Sequence, residues 1–113
     1  MLAVVEEGNA SCQIFDFKTG QFIRKLTFSE QTGGKNLDFV SCVFSLNRKY
    51  LYTMMCSKGT KTYLTKWESE DGEFDKQHTI TIHNGPCDRM VMSNEGFYLA
   101  VSTEDLEVKS INT

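Results

Sequence analysis

The feature of this sequence that most constrains its fold is an internal repeat. Three strand-like apolar runs begin with leucine: Leu2-Ala-Val-Val, Leu51-Tyr-Thr-Met and Leu99-Ala-Val-Ser. Successive runs start about 48 positions apart, a period typical of propellers and other repeat architectures. Nowhere do apolar residues recur with a helical period over three turns, so the repeated unit is predicted to consist of β-strands.

A second shared pattern lies downstream of the first two runs. Residues 15–22 and 67–74 both place an aromatic residue, then a glycine five positions later, then a phenylalanine. This spacing is typical of a strand, a tight turn and a second strand, because glycine tolerates the positive φ of such turns. Asp71-Gly72 is a strong hairpin signal and Thr19-Gly20 a weaker one. Residues 39–45 and 87–93 add a strand before the second and third runs.

The complete unit therefore consists of four short antiparallel strands. Strict alternation over residues 39–44 places Val40, Cys42 and Phe44 on one face and Phe39 and Val43 on the other, which predicts a strand buried on both sides. Within residues 77–82, Ile80 and Ile82 lie on one face and Thr79 and Thr81 on the other, as in an outer, half-exposed strand.

A sheet covered on both faces and open at its rim is one blade of a β-propeller. The sequence therefore predicts an all-β, WD40-like propeller fragment of about ten antiparallel strands in two to three four-stranded blades. Residues 1–28 supply strands B to D of one blade, 39–82 a complete blade, and 87–113 strands A to C of the next. The alternative is a one-domain β-sandwich, which has turn signals at similar spacing. Because propellers close with four or more blades, we expect a piece of a longer propeller or a chain completed by partners.

Composition excludes several classes of function. The 113 residues carry a net charge of −3, which disfavours a basic surface that binds nucleic acid. No apolar run approaches the length of a membrane helix, and Glu6 and Glu7 interrupt the N-terminal run too early for a signal peptide. The cysteines are widely spaced within apolar runs, which predicts reduced core thiols in a cytosolic environment. They are Cys12, Cys42, Cys56 and Cys87.

Sites for metals, phosphates or covalent chemistry are not indicated. His78, His83 and Cys87 lack the compact four-ligand spacing of zinc sites, and no third group orients a Cys87–His83 pair. Gly33-Gly34-Lys35 is followed by Asn36 and by no helix, so it does not match a phosphate-binding loop. We therefore expect no cofactor, no metal and no catalytic residue in this segment.

Partner contacts are expected from loops, which carry function more often than strands do. In a propeller, the loops that join strand D to A and strand B to C lie on one face. The alternative is that they are solvated connectors. The candidate partner-facing residues are Glu30, Lys35, Asn36, Asp38, Lys58, Lys61, His83 and Asn84.

The repeat resembles WD40 units. Trp67-Glu68 lies where that family has its Trp-Asp dipeptide, and Phe15-Asp16 matches it with phenylalanine for tryptophan. No Gly-His pair precedes either unit at the usual spacing, and His83-Asn84-Gly85 only approximates one. The resemblance therefore does not predict a complete Asp-His-Ser/Thr-Trp hydrogen-bond network.

A narrower resemblance covers roughly residues 39–111. Phe39-Val-Ser-Cys-Val-Phe, Tyr63-Leu-Thr-Lys-Trp and Met90-Val-Met-Ser-Asn-Glu-Gly-Phe-Tyr-Leu-Ala-Val-Ser resemble the middle and late blades of the Sec12 (prolactin regulatory element-binding protein) family. Of these stretches, Tyr63-Leu-Thr-Lys-Trp is the most specific.

This resemblance implies part of a guanine-nucleotide exchange factor for a Sar-type small GTPase, which starts COPII vesicle formation on the cytosolic face of the endoplasmic reticulum. The implied partners are that GTPase and other proteins, with no nucleic acid. Contact with the membrane is expected only through a segment absent from this chain. The family's potassium-organised exchange loop belongs to an upstream blade, so no exchange residue is assigned here. The alternative is a generic, cytoplasmic WD40 scaffold without exchange activity.

Overall fold

The computed structural model describes residues 1–5, 10–28, 37–57, 61–70, 73–105 and 107–113. These residues form ten β-strands and no helix. All the strand pairs are antiparallel, and they build three sheets. The prediction of an all-β fold is therefore confirmed. Within the described residues there is accordingly no apolar helix of membrane-spanning length.

Each sheet is a meander in which strands adjacent in sequence are neighbours in space. The first sheet contains β1 (Leu2–Val5), β2 (Cys12–Phe15) and β3 (Phe22–Leu26). The second contains β4 (Asp38–Phe44), β5 (Tyr50–Ser57), β6 (Lys61–Glu70) and β7 (Glu73–His83). The third contains β8 (Cys87–Met92), β9 (Tyr98–Thr103) and β10 (Val108–Asn112).

Two hydrophobic cores hold the three sheets together. The first core lies between the first and second sheets, and the second core lies between the second and third. Residues 51–56 of β5 are all buried, because successive side chains point alternately into the two cores. The predicted burial on both faces therefore holds for β5, whereas β4 is mostly half-buried. The first core contains Cys12, Ile14, Leu26, Leu37, Phe39, Leu51, Met55, Trp67 and Phe74. The second contains Tyr52, Met54, Leu64, Cys87, Met90, Leu99 and Val101.

The side chains of β4 are distributed differently from the strict alternation predicted for this strand. The β4–β5 register shifts between Phe39 and Ser41, which is a β-bulge. The extra residue turns Phe39 to the same side as Cys42, in the first core, and leaves Val40 facing the second. The predicted grouping of Val40 with Cys42 is therefore wrong.

The β4–β5 and β8–β9 hairpins close with the same hydrogen bonds. Ser45 N donates to Tyr50 O at 2.9 Å, and Ser93 N donates to Tyr98 O at the same distance. In each turn the serine Oγ accepts from the tyrosine N–H at 3.1 Å. The sequence repeat is therefore also a repeat of turn geometry.

These two turns require a left-handed residue at the same position. Arg48 adopts φ of 63° in the first turn, and Gly96 adopts 81° in the second. A side chain at Gly96 would also meet Leu46, whose Cδ1 lies 2.9 Å from the position of an added Cβ. The first turn therefore accommodates a side chain at this left-handed position. In the second turn, a side chain at Gly96 would also contact Leu46.

We expect Gly96→Ala to destabilise the fold by about 1–2 kcal/mol, because alanine has an energetic penalty at positive φ. The matched change Arg48→Gly is expected to stabilise it by up to about 1 kcal/mol, because the same penalty is removed. Urea unfolding of both variants followed by circular dichroism measures these changes. Equal stability of Gly96→Ala and the unsubstituted chain would contradict the strain argument.

Candidate functional site

Strand pairing in the second sheet brings several predicted site residues to one end of the molecule. Asp38 pairs with Cys56, Cys56 pairs with Thr62, and Thr62 pairs with His83. Lys61 begins β6 beside Thr62, and Asn84 directly follows β7. We call this surface the loop end; it consists of Asp38, Lys61, residues 83–86 and residues 103–105.

A small polar cluster joins the second and third sheets at the loop end. His83 Nε2 lies 3.4 Å from Asp105 Oδ1, and the Thr103 hydroxyl donates to the same carboxylate oxygen. The Glu107 N–H in turn donates to Thr103 Oγ1 at 3.0 Å. The His83 side chain is 13% exposed and that of Asp105 62%, so the cluster extends from the sheet interface to solvent.

Hydrogen bonding makes Asp105 a stronger acid than a free aspartate. The donated Thr103 hydroxyl is the main cause that lowers the pKa of Asp105 below its ordinary value of 3.8, and the neighbouring His83 also lowers it. The carboxylate is therefore ionised over the whole physiological pH range. It supplies a fixed negative charge beside the imidazole.

The segment between β7 and β8 is held by bonds from both sheets. Thr62 Oγ1 donates to Gly85 O at 2.7 Å, and Glu104 N donates to Pro86 O at 3.1 Å. Cys87 follows at the start of β8, where burial raises the pKa of its thiol. Hydrogen bonds from both sheets therefore hold this part of the loop end in a defined conformation.

The structure corrects the predicted loop boundaries. Asp38 and Lys61 were predicted in loops, but they are the first residues of β4 and β6 because the β4–β5 and β5–β6 ladders extend to them. His83 is the last residue of β7, and Asn84 lies in the following bend, where it is exposed. The other four candidates lie outside the described residues: Glu30, Lys35, Asn36 and Lys58.

Sequence reasoning missed the role of Asp105. Asp105 is not among the candidate partner-facing residues predicted from the sequence. The available signal was Thr103 two positions earlier, since a threonine next to a turn often bonds locally. The contact with His83 joins two sheets and had no sequence signal.

A buried hydrogen bond links two middle strands of the second sheet. Trp67 Nε1 donates to Thr53 Oγ1 at 2.8 Å, and both residues are buried. The indole packs in the first core, so the bond fixes the ring at the interface between the first and second sheets. Trp67 therefore packs between the first and second sheets.

An apolar cleft opens between the second and third sheets, away from the loop end. Its volume is about 260 Å³. Lys66 and His78 are cross-strand partners in its lining, and Lys66 Nζ lies 4.0 Å from the centre of the Tyr50 ring. The sequence did not indicate this cleft, because its walls come from separate repeats. The lining residues are Tyr52, Leu64, Lys66, His78, Ile80, Leu99, Ile111, Asn112 and Thr113.

The arrangement of these groups is suited to binding. Across the parts of the chain that the structure describes, no three histidine, cysteine or acidic side chains converge as metal ligands would. His83, considered above as a base for Cys87, has its Nε2 directed at Asp105. The loop end therefore exposes the Asp105 carboxylate, Lys61 and Asn84 to solvent, with the His83 imidazole largely buried beside the carboxylate.

We expect the Asp105 contacts to shape the acid stability of the protein. Because folding lowers the pKa of this carboxyl, the stability it contributes is present above about pH 4 and is lost as the pH falls through the folded value. As the pH falls below about 4, the free energy of unfolding of Asp105→Asn should therefore decrease less than that of the unsubstituted chain. Unfolding free energies measured across this range test the expectation.

The matched control is Glu104→Gln, which removes a charge from the adjacent exposed position. As the pH is lowered below about 4, the free energy of unfolding of Glu104→Gln should decrease more steeply than that of Asp105→Asn. Parallel curves for Asp105→Asn and the unsubstituted chain would contradict the role given to the Thr103 and His83 contacts.

Comparisons with known proteins do not identify a family. No protein-family model matches the sequence, and no curated protein matches it significantly.

Proposed function

We propose that this chain supplies consecutive blades of a β-propeller that binds partner proteins at its loop end. The observation that carries the proposal is the arrangement of the sheets around a middle sheet with four strands and two buried faces. Successive blades of a propeller pack in this way, each covering the face of the next. The Thr53–Trp67 bond supports the WD40-like type.

The contacts between strands of successive repeats also support this proposal. β4 and β8 occupy the same place in successive repeats, and they lie side by side; β4 also contacts β1. Corresponding strands come together when sheets radiate from one axis. The outer face of the first sheet carries Leu2, 46% exposed, and Phe22, 56% exposed. An adjoining blade would cover such an apolar face.

The more specific proposal is that the propeller belongs to a Sec12-like exchange factor for a Sar-type small GTPase, located on the cytosolic face of the endoplasmic reticulum. It rests on the sequence resemblance over residues 39–111. Exchange of this kind is binding chemistry, in which the factor favours the nucleotide-free GTPase through differential contacts. The loop end offers charged and amide groups for those contacts, and this chain would supply scaffold and part of the docking face.

Release of a fluorescent guanine nucleotide from a Sar-type GTPase tests this function. The protein containing this chain should accelerate release, and Lys61→Ala combined with Asn84→Ala should weaken the acceleration. The matched control is Asn94→Ala, an exposed change in the β8–β9 turn at the other end of the sheets. An unchanged release rate with the unsubstituted protein would refute the exchange function.

The second candidate function is a general protein-interaction scaffold without exchange activity. The cleft of about 260 Å³ between the second and third sheets favours it, because an apolar cleft with a cationic rim suits a peptide side chain. Stable capture of partner proteins with no effect on nucleotide release would support this function over the first.

A further inference from the structure

The apolar cleft between the second and third sheets adjoins a second, more polar cleft. The apolar cleft, of about 260 Å³, has Leu64 and Leu99 in its lining. The polar cleft, of about 290 Å³, lies beside the β4–β5 and β8–β9 turns, which contribute Asn47 and Glu95 to its walls. The residues that line both clefts are Tyr52, Lys66 and Thr113. The two clefts therefore form one groove with an apolar half and a polar half.

The apolar half exposes hydrophobic surface inside a sheet interface. Leu64 and Ile80 are cross-strand partners on β6 and β7, so both side chains point toward the third sheet. Leu64 and Leu99 are buried, but Ile80 remains 37% exposed in the wall. An aliphatic side chain that enters this half would therefore remove further apolar surface from water.

A cation lies at the boundary between the two halves. Lys66 follows Leu64 by two positions on β6, so their side chains share a face and are separated by roughly 7 Å along the strand. Lys66 Nζ lies 4.0 Å from the centre of the Tyr50 ring. Among the residues that the structure describes, no carboxylate forms an ion pair with this ammonium, although Glu95 lines the polar half. The Lys66 ammonium is therefore available to an anionic group.

Hydrogen-bonding groups lie in the same lining as this cation. His78 is the cross-strand partner of Lys66, and Asn112 belongs to β10 on the opposite wall. An imidazole and a carboxamide can each donate a hydrogen bond. These groups suit a carboxylate, because its two oxygens accept several hydrogen bonds and pair with an ammonium.

The size and shape of the groove favour the end of a peptide over other carboxylates. The volume of the apolar half, 260 Å³, is below the range of about 300–1,000 Å³ that is typical for drug-sized ligands, so it suits a single aliphatic side chain. The last residue of a peptide carries this side chain and a free carboxylate together, which matches the short separation of Leu64 and Lys66. The polar half offers Asn47 and Glu95 to the peptide groups that precede it.

We propose that this groove binds the carboxyl terminus of a partner protein whose last residue is leucine or a similar aliphatic residue. The terminal side chain lies in the apolar half, the terminal carboxylate pairs with Lys66, and the preceding backbone follows the polar half. This inference rests on the second candidate function, protein interaction, and specifies the chemistry of one partner segment. It does not involve the loop end.

Fluorescence anisotropy with the full chain tests the proposal. The probe is a fluorescein-labelled hexapeptide of serine and glycine that ends in leucine with a free carboxylate. We expect saturable binding, and amidation of the carboxylate should weaken it about tenfold, because a charge-assisted hydrogen bond is lost. Replacing the terminal leucine of the probe by serine should also weaken binding about tenfold, because less apolar surface is buried. Equal affinity for the acid and the amide would overturn the proposal.

Two lysine variants make the assignment specific. Lys66→Met removes the ammonium, so its affinity for the acid should fall to that for the amide. The matched control is Lys76→Met on β7. Lys76 Nζ also lies over an aromatic ring, that of Phe28 at 4.5 Å, but Lys76 pairs with Trp67 and faces the first sheet. This variant should bind the probe as the unsubstituted chain does. Should Lys66→Met fail to fold, the comparison of acid and amide on the unsubstituted chain decides alone.

Three further outcomes would count against the proposal. Octanoate that displaces the probe as effectively as the unlabelled peptide would assign the groove to small acids. Undiminished binding of the acid by Lys66→Met would remove the carboxylate from this site. Absence of probe binding would overturn this inference alone, because partner proteins can still be captured at the loop end. The scaffold function fails separately, if the protein captures no partner at all.

Discussion

Replacing Trp67 by alanine is expected to lower the free energy of unfolding by about 3–5 kcal/mol. The indole is buried in the first core, so its removal leaves a large cavity between the first and second sheets. It also removes the indole N–H that donates a hydrogen bond to Thr53 Oγ1 at 2.8 Å. A loss of this size is a large fraction of the 5–15 kcal/mol that stabilises a typical domain. Chemical denaturation followed by far-ultraviolet circular dichroism measures it.

Two smaller changes separate packing from hydrogen bonding at this site. Trp67→Phe keeps an aromatic ring but leaves Thr53 without its indole donor, which should cost about 1–3 kcal/mol. Thr53→Val removes the hydroxyl with little change of shape. If the Trp67–Thr53 hydrogen bond contributes to stability, the loss of unfolding free energy in the double variant Trp67→Phe/Thr53→Val should be smaller than the sum of the two single losses. Strict additivity would contradict the contribution of the Trp67–Thr53 bond, and a loss below about 1 kcal/mol for Trp67→Ala would contradict the burial of the indole.

Replacing Leu99 by alanine is expected to cost about 2–5 kcal/mol. Leu99 is fully buried on β9 in the second core, where it faces side chains of the second sheet. Because the second sheet contributes to both cores, weakening the second core should also destabilise the first. The single tryptophan, Trp67, reports on the first core through its fluorescence. We expect the fluorescence transition to shift to lower denaturant together with the circular dichroism transition.

The matched control is Val91→Ala on β8, in the same sheet. Val91 is 60% exposed on the outer face, so its truncation should change stability by no more than about 0.5 kcal/mol. A Leu99→Ala variant whose fluorescence transition stays unchanged while part of the circular dichroism signal is lost early would show that the third sheet unfolds independently. This outcome would contradict the coupling of the two cores.

Local features of the fold were predictable from the sequence because they depend on neighbouring residues. Ser45 and Ser93 mark two hairpins with the same hydrogen bonds, and Gly20 supplies a positive φ in the turn between β2 and β3. Apolar residues on both faces of β4 indicated contacts on two sides, and its side chains do pack against both cores. Turn chemistry and strand periodicity act within a few positions, so a single sequence contains them.

The candidate site was predictable only in part. The repeat placed His83 and Asn84 at one end of the sheets, and strand register brings Asp38 and Lys61 to the same end. The partner of His83 was not predictable, because Asp105 belongs to another sheet and reaches it only when the two sheets pack. The cleft between these sheets was missed for the same reason.

What the sequence determined by itself is the all-β repeat, its hairpins and the double burial of its middle strands, since these follow from side-chain alternation and the φ preference of glycine. The tertiary structure decided the bulge that turns Phe39 and Val40, and the contact between His83 and Asp105. Both depend on how one sheet packs against the next, and packing is set by contacts between residues far apart in the chain.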